Sequence, residues 1–512
     1  MRITLSVPAL ILTLGGAAAA LFVACGDGGT QAMTASDGPT TSADLGPATG
    51  QPAISALDVS LGSTAGGNTV VISGSNIRTG ARVLFGGLPA TVTAVAPDGT
   101  SVTVTVPASL GRPGAVDVSV VNPDDQSGTL SKGYRYFLNT VTFPSAAASP
   151  TVNAMSNAGP RAILSVDLNG DGNTDLITAN GGTNDISVIR GRGDGTFDAA
   201  VNMLVYPTAM ALGGRTPLGV VAADVTTDQK PDVITTNSAT NNLSVFTQPA
   251  GGGALNPPVL VSTTIGITPQ GLAAADMDGD GDTDLVVGNS GGGTVSVLLN
   301  NGSGVGYTMA TGTPLVIGFN PVGLTVADVN KDRRPDIVVT NGTGIGNTVR
   351  IILNTTTGYV QQNPVTVGTT PSAVVAADLD GDGTLDLAVT NSGSNNVSLL
   401  KGSGTGAFTA IGQPVSVGMT PLALAAADLN LDGKVDLVVP NSAANPGTLH
   451  VLLGKGDGTF TLAGGAPVLI GREAYAVAVA DFNKDGRPDI AVTRYGMALP
   501  PGGVDVLLGT GQ

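Results

Sequence analysis

Clusters of aspartate at a fixed spacing are the residues of this chain best suited to chemistry. The densest is DMDGDGDTD, residues 276–284, which holds five aspartates in nine residues. Carboxylates this close repel one another, by roughly 1 kcal/mol per pair at about 4 Å even in bulk water. Such a cluster therefore indicates a bound cation that compensates the repulsion.

Seven acidic loops share one pattern along the chain. If the first aspartate is position 1, positions 1, 5 and 9 are always aspartate, and position 3 is aspartate, asparagine or threonine. Position 6 is glycine except in the second and fourth loops, which have Gln229 and Arg333. The predicted metal ligands at positions 1, 3, 5 and 9 are Asp167, Asn169, Asp171 and Asp175; Asp224, Thr226, Asp228 and Asp232; Asp276, Asp278, Asp280 and Asp284; Asp328, Asn330, Asp332 and Asp336; Asp378, Asp380, Asp382 and Asp386; Asp428, Asn430, Asp432 and Asp436; and Asp481, Asn483, Asp485 and Asp489.

Alternating side-chain oxygens in a tight turn point to one centre, which indicates a hard divalent cation. Calcium takes roughly six to eight oxygen ligands in a flexible geometry, whereas magnesium demands a stricter octahedron and keeps more water. The four side chains and a backbone carbonyl near position 7 would supply most of the calcium ligands. We predict five to seven calcium ions, with the second and fourth loops as the two whose occupancy the sequence leaves open.

Two other structures share parts of this pattern. Asp-Gly and Asn-Gly form good hairpin turns, which would explain one loop but not seven loops that each keep three aspartates. An EF-hand opens with the same spacing but needs glutamate at position 12 and flanking helices. Position 12 is Val287 in the third loop and Val389 in the fifth, so the EF-hand is excluded.

Short apolar strands flank every loop. Residues 371–418 contain a strand (AVVAAD), the acidic loop, a second strand (DLAVT), a turn, a third strand (VSLLKG) and a fourth strand (QPVSVG). Four antiparallel strands repeated every 50 to 57 residues predict the blades of a β-propeller. The last repeat ends without a fourth strand, and residues 139–154 hold an unpartnered strand. We predict that this amino-terminal segment completes the seventh blade and closes the ring.

The amino-terminal part of the chain has a different organisation. Residues 1–24 predict a secretory signal peptide that ends in LFVAC, which resembles the bacterial lipobox with Cys25 as the lipid acceptor. An ordinary signal peptide or an uncleaved membrane anchor is the alternative. Residues 25–52 are rich in Gly, Ser, Thr and Pro and predict a flexible tether. Residues 53–137 alternate apolar and polar residues over short stretches, which predicts an immunoglobulin-like sandwich.

Two parts of the chain resemble known families. GGNTVVISGSNI, VLFGG, VTVTVP and YRYF resemble an IPT/TIG domain, which implies a spacer or protein-contact module; we expect a spacer. DLNGDGNTD, DMDGDGDTD, DLDGDGTLD and DFNKDGRPD, with GDGTF at 193–197 and 456–460, resemble FG-GAP (VCBS-type) repeats over residues 138–512. This resemblance implies a seven-bladed propeller like the head of integrin α chains. Its calcium loops would be structural and lie on one face, and partners would bind the opposite face or the rim. The expected fold is all-β, a sandwich followed by a closed propeller.

Composition and the lack of certain motifs argue against several classes of function. A net charge of −16 argues against nucleic acid as a partner. A single cysteine and a single histidine, His450, argue against a zinc site and a Cys–His catalytic pair. No G-x-S-x-G sequence lies at a strand-to-helix turn, so we expect no enzyme. The RGD sequence at residues 192–194 matches GKGDGTF in the sixth repeat, which predicts a turn.

Three functions remain open. The first is a lipid-anchored, extracytoplasmic binding or adhesion module of the bacterial cell envelope, monomeric, with a protein partner. The second is a calcium-dependent, lectin-like propeller with a glycan ligand, although the chain has no Trp and only seven Tyr for stacking on sugars. The third is a polysaccharide-degrading enzyme, for which the basic and aromatic residues of a cleft are missing.

Overall fold

A computed structural model of the protein describes residues 13–14, 17–18, 50–138, 140–144, 151–152, 159–206, 216–249, 253–261, 265–318, 320–342, 346–442, 446–471, 473–495 and 502–511. Contacts divide the chain into two compact units, the larger containing Thr142–Leu429 and Lys434–Thr510. Most of the predicted leader, Cys25 and the tether up to residue 49 lie outside the described residues. Within the described residues, no helix is long and apolar enough to span a membrane.

The smaller unit is a sandwich of two mainly antiparallel sheets, as predicted. In spatial order, one sheet contains Ala53–Leu57, Thr69–Ser75, Ser101–Thr105 and Thr91–Val95, and the other contains Leu61–Ser63, Ser127–Phe137, Gly114–Val121, Arg82–Phe85 and Leu88–Pro89. Alternate residues face the core, so Val70 and Ile72 are fully buried while Thr69 and Ser73 are exposed. Phe85 packs edge-on against Tyr134, with ring centroids 5.0 Å apart, which closes the core.

The larger unit contains seven blade-like sheets in its described residues, and each sheet has the predicted strand order. The inner strands are Pro160–Val166, Pro217–Ala223, Pro269–Ala275, Pro321–Ala327, Pro371–Ala377, Ala425–Ala427 and Ala474–Ala480. The second strands are Asp175–Asn180, Asp232–Asn237, Asp284–Asn289, Asp336–Asn341, Asp386–Asn391, Asp436–Asn441 and Asp489–Arg494. The third strands are Asp185–Ile189, Asn242–Phe246, Thr294–Asn300, Thr348–Thr355, Asn396–Gly402, Gly447–Gly454 and Gly503–Leu507. Each inner strand contacts the next one, and the seventh contacts the first, so the sheets form a closed propeller.

The outer edges differ from the prediction in detail. Blades one and two end in single strands, Val201–Leu204 and Val259–Val261. In blades three to six, two short strands share the edge of one third strand. These pairs are Tyr307–Met309 with Leu315–Val316, Gly358–Gln361 with Val365–Thr366, Phe408–Ala410 with Val415–Ser416, and Phe460–Leu462 with Val468–Ile470. In blade five, the predicted fourth strand QPVSVG therefore forms only half of the outer edge, because a tight turn divides this edge into two short strands.

The amino-terminal segment closes the ring as predicted. Thr151–Val152 forms the outer edge of the seventh blade, with Thr151 opposite Asp505 and Val152 opposite Val504. A second short pair joins Val141–Thr142 to Thr510–Gly511. The remaining elements are a 3₁₀ turn at Ala463–Gly465 and two short strands, Thr13–Leu14 and Ala17–Ala18. These two strands pair with each other, and Thr13–Leu14 also pairs with the third inner strand.

The core of the propeller lies between neighbouring blades. Small residues of the inner strands, such as Ala376 and Ala478, are fully buried, as expected where strands crowd around an axis. Larger residues of the second and third strands fill the space farther out, and one cluster joins blades seven, one and two. This packing makes the blades rigid supports for the loops between their strands.

Candidate metal centres

The acidic loops all lie at the same end of the blades. Each loop follows the carboxyl end of an inner strand, and its ninth aspartate is the first residue of the second strand. Because the inner strands are equivalent in the ring, the seven loops share one face of the propeller. The opposite face carries the turns that lead into the inner strands.

The first aspartate organises the backbone of each loop. In the first loop, Asp167 accepts hydrogen bonds from the backbone amides of Gly170 (2.8 Å), Asp171 (3.2 Å) and Gly172 (2.8 Å). Position 6 has positive φ in all seven loops, from 65° at Gln229 to 93° at Gly281. The second and fourth loops thus fold like the others without glycine, although this conformation is costly for residues with a Cβ.

Positions 3 and 5 complete the exposed part of the centre. In the third loop, carboxylate oxygens of Asp276, Asp278 and Asp280 all lie within 4.8 Å of one another, and Asp378, Asp380 and Asp382 do the same in the fifth. Three of the asparagines at position 3 donate their side-chain amide to the aspartate at position 5: Asn169, Asn330 and Asn483, at 2.9, 3.1 and 3.3 Å. The third and fifth loops therefore concentrate the most negative charge.

The ninth aspartate has a structural role that the spacing did not predict. It is fully buried in all seven loops. In the third loop, Asp284 accepts hydrogen bonds from the amides of Met277 at position 2 and Asn300 at the end of the third strand, both at 2.8 Å. The same pair of bonds recurs at Asp175, Asp232, Asp336, Asp386, Asp436 and Asp489. This residue ties three segments of the blade together, and its role as a metal ligand stays a prediction.

Without a bound cation, the charged form of several buried loop aspartates is disfavoured. Burial, together with the nearby carboxylates of Asp278 and Asp280, raises the pKa of Asp284 to about 6. Burial and neighbouring aspartates raise the pKa of Asp336 and Asp489 to about 6 in the same way. A divalent cation among these oxygens would reverse this effect, because it favours the charged carboxylates.

Basic side chains compensate part of this charge in some loops, and the sequence reasoning missed them. Arg190 Nη1 lies 2.7 Å from the buried carboxylate of Asp175. Lys401 Nζ contacts Asp380 and lies 2.8 Å from Asp382, whose pKa it lowers to about 2. Arg334 pairs with Asp332 in the fourth loop. Among the described residues, no ion pair involves an aspartate of the third loop.

Calcium fits the donors that these loops present. The donors are carboxylate, amide and hydroxyl oxygens on a short curved backbone, and hard cations prefer oxygen. The side chains at positions 1, 3 and 5 are open to solvent in several loops, so an ion can enter. The second loop is the weakest match, since the Thr226 hydroxyl donates to Asp232 at 3.1 Å.

Two other sequence features lie in ordinary structural positions. His450 Nδ1 accepts a hydrogen bond from Asn441 Nδ2 at 2.9 Å inside the sixth blade. In the RGD sequence, Asp194 accepts two hydrogen bonds from Thr196, at 2.9 and 2.6 Å. Asp457 makes the same two bonds with Thr459 in the sixth repeat, so both sequences form the same turn.

Sequence comparison matches two families. The profile of the FG-GAP-like repeat matches residues 167–235, 224–287, 276–339, 334–389, 378–439 and 442–492, which include all seven acidic loops. The profile of the IPT/TIG domain matches residues 52–136. No curated protein has a significant sequence match to the chain.

Several solved structures are similar in fold. An auxiliary nutrient binding protein from Bacteroides ovatus is 13% identical, with 78% of this chain and 96% of that chain covered and a TM-score of 0.40. A protein from Lactobacillus plantarum is 15% identical, with 77% and 98% covered and a TM-score of 0.45. An Agrocybe aegerita lectin that recognises terminal N-acetylglucosamine is 16% identical, with 78% and 92% covered and a TM-score of 0.42. Likenesses this distant carry no information about the ligand of this chain.

Proposed function

Because the chain belongs to the FG-GAP-like repeat family, we propose that it is a calcium-binding propeller that acts as a binding module for a protein partner. The convergence of three carboxylates in the third and fifth loops supports calcium most directly. Calcium would join the loop backbone to the two strands that it connects, and so stabilise the face that carries the loops. Five to seven ions per chain are expected.

Exposed apolar residues on the rim support a protein partner. Among the residues that the structure describes, nine exposed large hydrophobic residues belong to the propeller, and six of these lie on outer strands. The six are Val201, Leu204, Val259, Val316, Val360 and Leu469. Val316 is 74% exposed, and its carbonyl accepts a hydrogen bond from Gln361 Nε2 (3.1 Å) of the next blade. Apolar side chains on adjacent blade edges offer area that a protein partner would bury.

The proposed location is the bacterial cell envelope, with the chain anchored through a lipid on Cys25. The LFVAC sequence before a Gly/Ser/Thr-rich tether supports this proposal. Changing Cys25 to Ser should release the protein from the membrane fraction, while the wild type stays with it. The lipid anchor would be contradicted if the wild type and Cys25→Ser both stayed with the membrane fraction, or if both were released from it.

Capture of partners from an envelope extract tests the binding function. The chain without its signal peptide would serve as bait in calcium and again in EDTA. We expect a partner that is retained in calcium, lost with Val316→Glu and Val360→Glu together, and retained with Val59→Glu, which alters an exposed valine (41%) of the sandwich. Equal capture by the rim variant would exclude the rim as the binding surface.

A glycan ligand is the second candidate. The half-exposed Tyr475 and Tyr495, whose ring centroids lie 5.7 Å apart, favour it because sugars stack on aromatic rings. A glycan and polysaccharide panel, scored for retention and for cleavage products, tests this candidate. Calcium-dependent retention without cleavage would favour a lectin-like module, and cleavage would contradict the expectation that the chain is no enzyme.

A further inference from the structure

Arg161 is a partly buried cation without a carboxylate partner among the described residues. Its Nη1 donates to the Tyr475 hydroxyl at 2.8 Å, and its Nη2 donates to the Tyr495 hydroxyl at 3.1 Å. The guanidinium carbon lies 5.0 Å from the centroid of the Tyr475 ring and 4.4 Å from that of Tyr495. Its Nε is buried and has no hydrogen-bond partner within the described ranges. Two aromatic rings attract the cation, but no carboxylate in the described part of the chain neutralises it.

Two other largely buried arginines of the same blades are paired with carboxylates. Arg494 Nε lies 2.9 Å from the buried carboxylate of Asp505, and Arg190 pairs with Asp175. The segments next to this cluster in sequence, residues 153–158 and 496–501, contain no Asp or Glu. A partly buried cation with no carboxylate partner among the residues that the structure describes is unexpected in a protein with a net charge of −16, because burying a charge is costly unless it is paired and hydrogen-bonded.

The cluster lies on the face away from the acidic loops. Arg161 and Tyr475 are second residues of the first and seventh inner strands, and Tyr495 follows the seventh second strand. A strand of about six residues, roughly 20 Å long, separates Arg161 from Asp167. Gly159 has φ of +53°, and a Cβ there would lie 2.9 Å from the Tyr495 ring, so the ring packs directly against the backbone. This packing fixes the position of one wall of the cluster.

We propose that Arg161, Tyr475 and Tyr495 form a binding site for a carboxylate group, carried either by a sugar or by a free organic acid. The guanidinium uses two of its five N–H donors on the tyrosines and its Nε–H is buried, so one N–H on Nη1 and one on Nη2 remain for an anion. Its planar donors match the two oxygens of a carboxylate. The tyrosines orient the guanidinium and add apolar surface beside it. The site shares no residue with the acidic loops, so its failure would leave the calcium proposal untouched.

Titration with small carboxylates tests this site in the chain without its signal peptide. The probes are D-glucuronate, acetate and D-glucose in calcium-containing buffer, measured by calorimetry and by tyrosine fluorescence. Because the chain has no Trp, tyrosine emission is directly observable. Saturable binding of glucuronate and acetate, without binding of glucose, supports the site. Glucuronate binding about tenfold tighter than acetate indicates a sugar-borne carboxylate, and equal affinities indicate a free acid.

Variants locate the site. Arg161→Met should weaken glucuronate binding at least about tenfold, since a hydrogen-bonded charge pair is lost. Arg161→Lys should keep part of the affinity, because it keeps the charge but not the planar donors. Arg192→Met, which removes an exposed arginine from the face of the acidic loops, is the matched control and should bind normally. No saturable binding to a folded wild-type protein, or undiminished binding by folded Arg161→Met, would overturn the proposal.

Discussion

At the scale of single residues, one position at the carboxyl end of the third strand differentiates the acidic loops. Arg190 and Lys401 each precede the residue whose amide binds the ninth aspartate, and both point a cation at their own loop. The equivalent residue of the third blade is Leu299, and no ion pair involves that loop among the described residues. The third loop should therefore attract calcium more strongly than the fifth, although both have four aspartates at the ligand positions.

Changing Lys401 to Met should tighten calcium binding at one site by about two- to fivefold, because calcium no longer competes with an exposed ammonium. The measurement is a calorimetric calcium titration of wild type and variant. Leu299→Lys is the reciprocal change and should weaken one site. Unchanged binding in both variants would show that this position does not influence the loops.

His450 provides a pH-dependent prediction. Burial lowers its pKa below the ordinary value of 6.5, so the unfolded chain binds the proton more tightly. Its contribution to stability is therefore fully present above pH 6.5, and it is lost as the pH falls from 6.5 through the lowered pKa of the folded protein. Since it is the single histidine, the NMR signal of its ring should titrate with a midpoint below 6.5. A midpoint at or above 6.5 would contradict the buried environment.

At the scale of the element, the ninth aspartate of an acidic loop should stabilise the blade even without calcium, whereas the third position should stabilise it only with calcium. Asp284→Ala leaves two buried amides without an acceptor and should lower the free energy of unfolding by about 2 kcal/mol in EDTA as well as in calcium. Asp278→Ala should lose stability only in calcium, since in EDTA it relieves repulsion from Asp276 and Asp280. Denaturant unfolding in both buffers makes the comparison. If Asp284→Ala were harmless in EDTA, the buried bonds would not support the blade.

At the scale of the whole molecule, the outer strand of the seventh blade joins residues far apart in sequence. Val152→Cys with Val504→Cys, in a Cys25→Ser background, should form a disulfide and raise Tm, because directly opposed residues lie within reach. Val152→Cys with Val506→Cys is the control, since residues offset by two positions lie about 7–8 Å apart. Mobility on non-reducing gels reports the bond. Equal cross-linking in the control would contradict this register.

Local pattern in the sequence determined the fold class and the candidate loops. Period-two alternation marks the strands, aspartates at positions 1, 3, 5 and 9 mark the loops, and the missing last strand indicates the closure at Thr151–Val152. These features are local because strands and turns depend mainly on neighbouring residues. Spacing also identified the seven equivalent sites without any knowledge of their surroundings.

Only the tertiary structure decided how these loops differ and what lies on the opposite face. The amide of Asn300, the cation of Lys401 and the rings around Arg161 come from other strands or blades, so no sequence spacing relates them to their partners. The division of the outer edges into two short strands is equally a result of packing. The contacts of Arg161 with Tyr475 and Tyr495 depend on ring closure, which brings residues from opposite ends of the chain together.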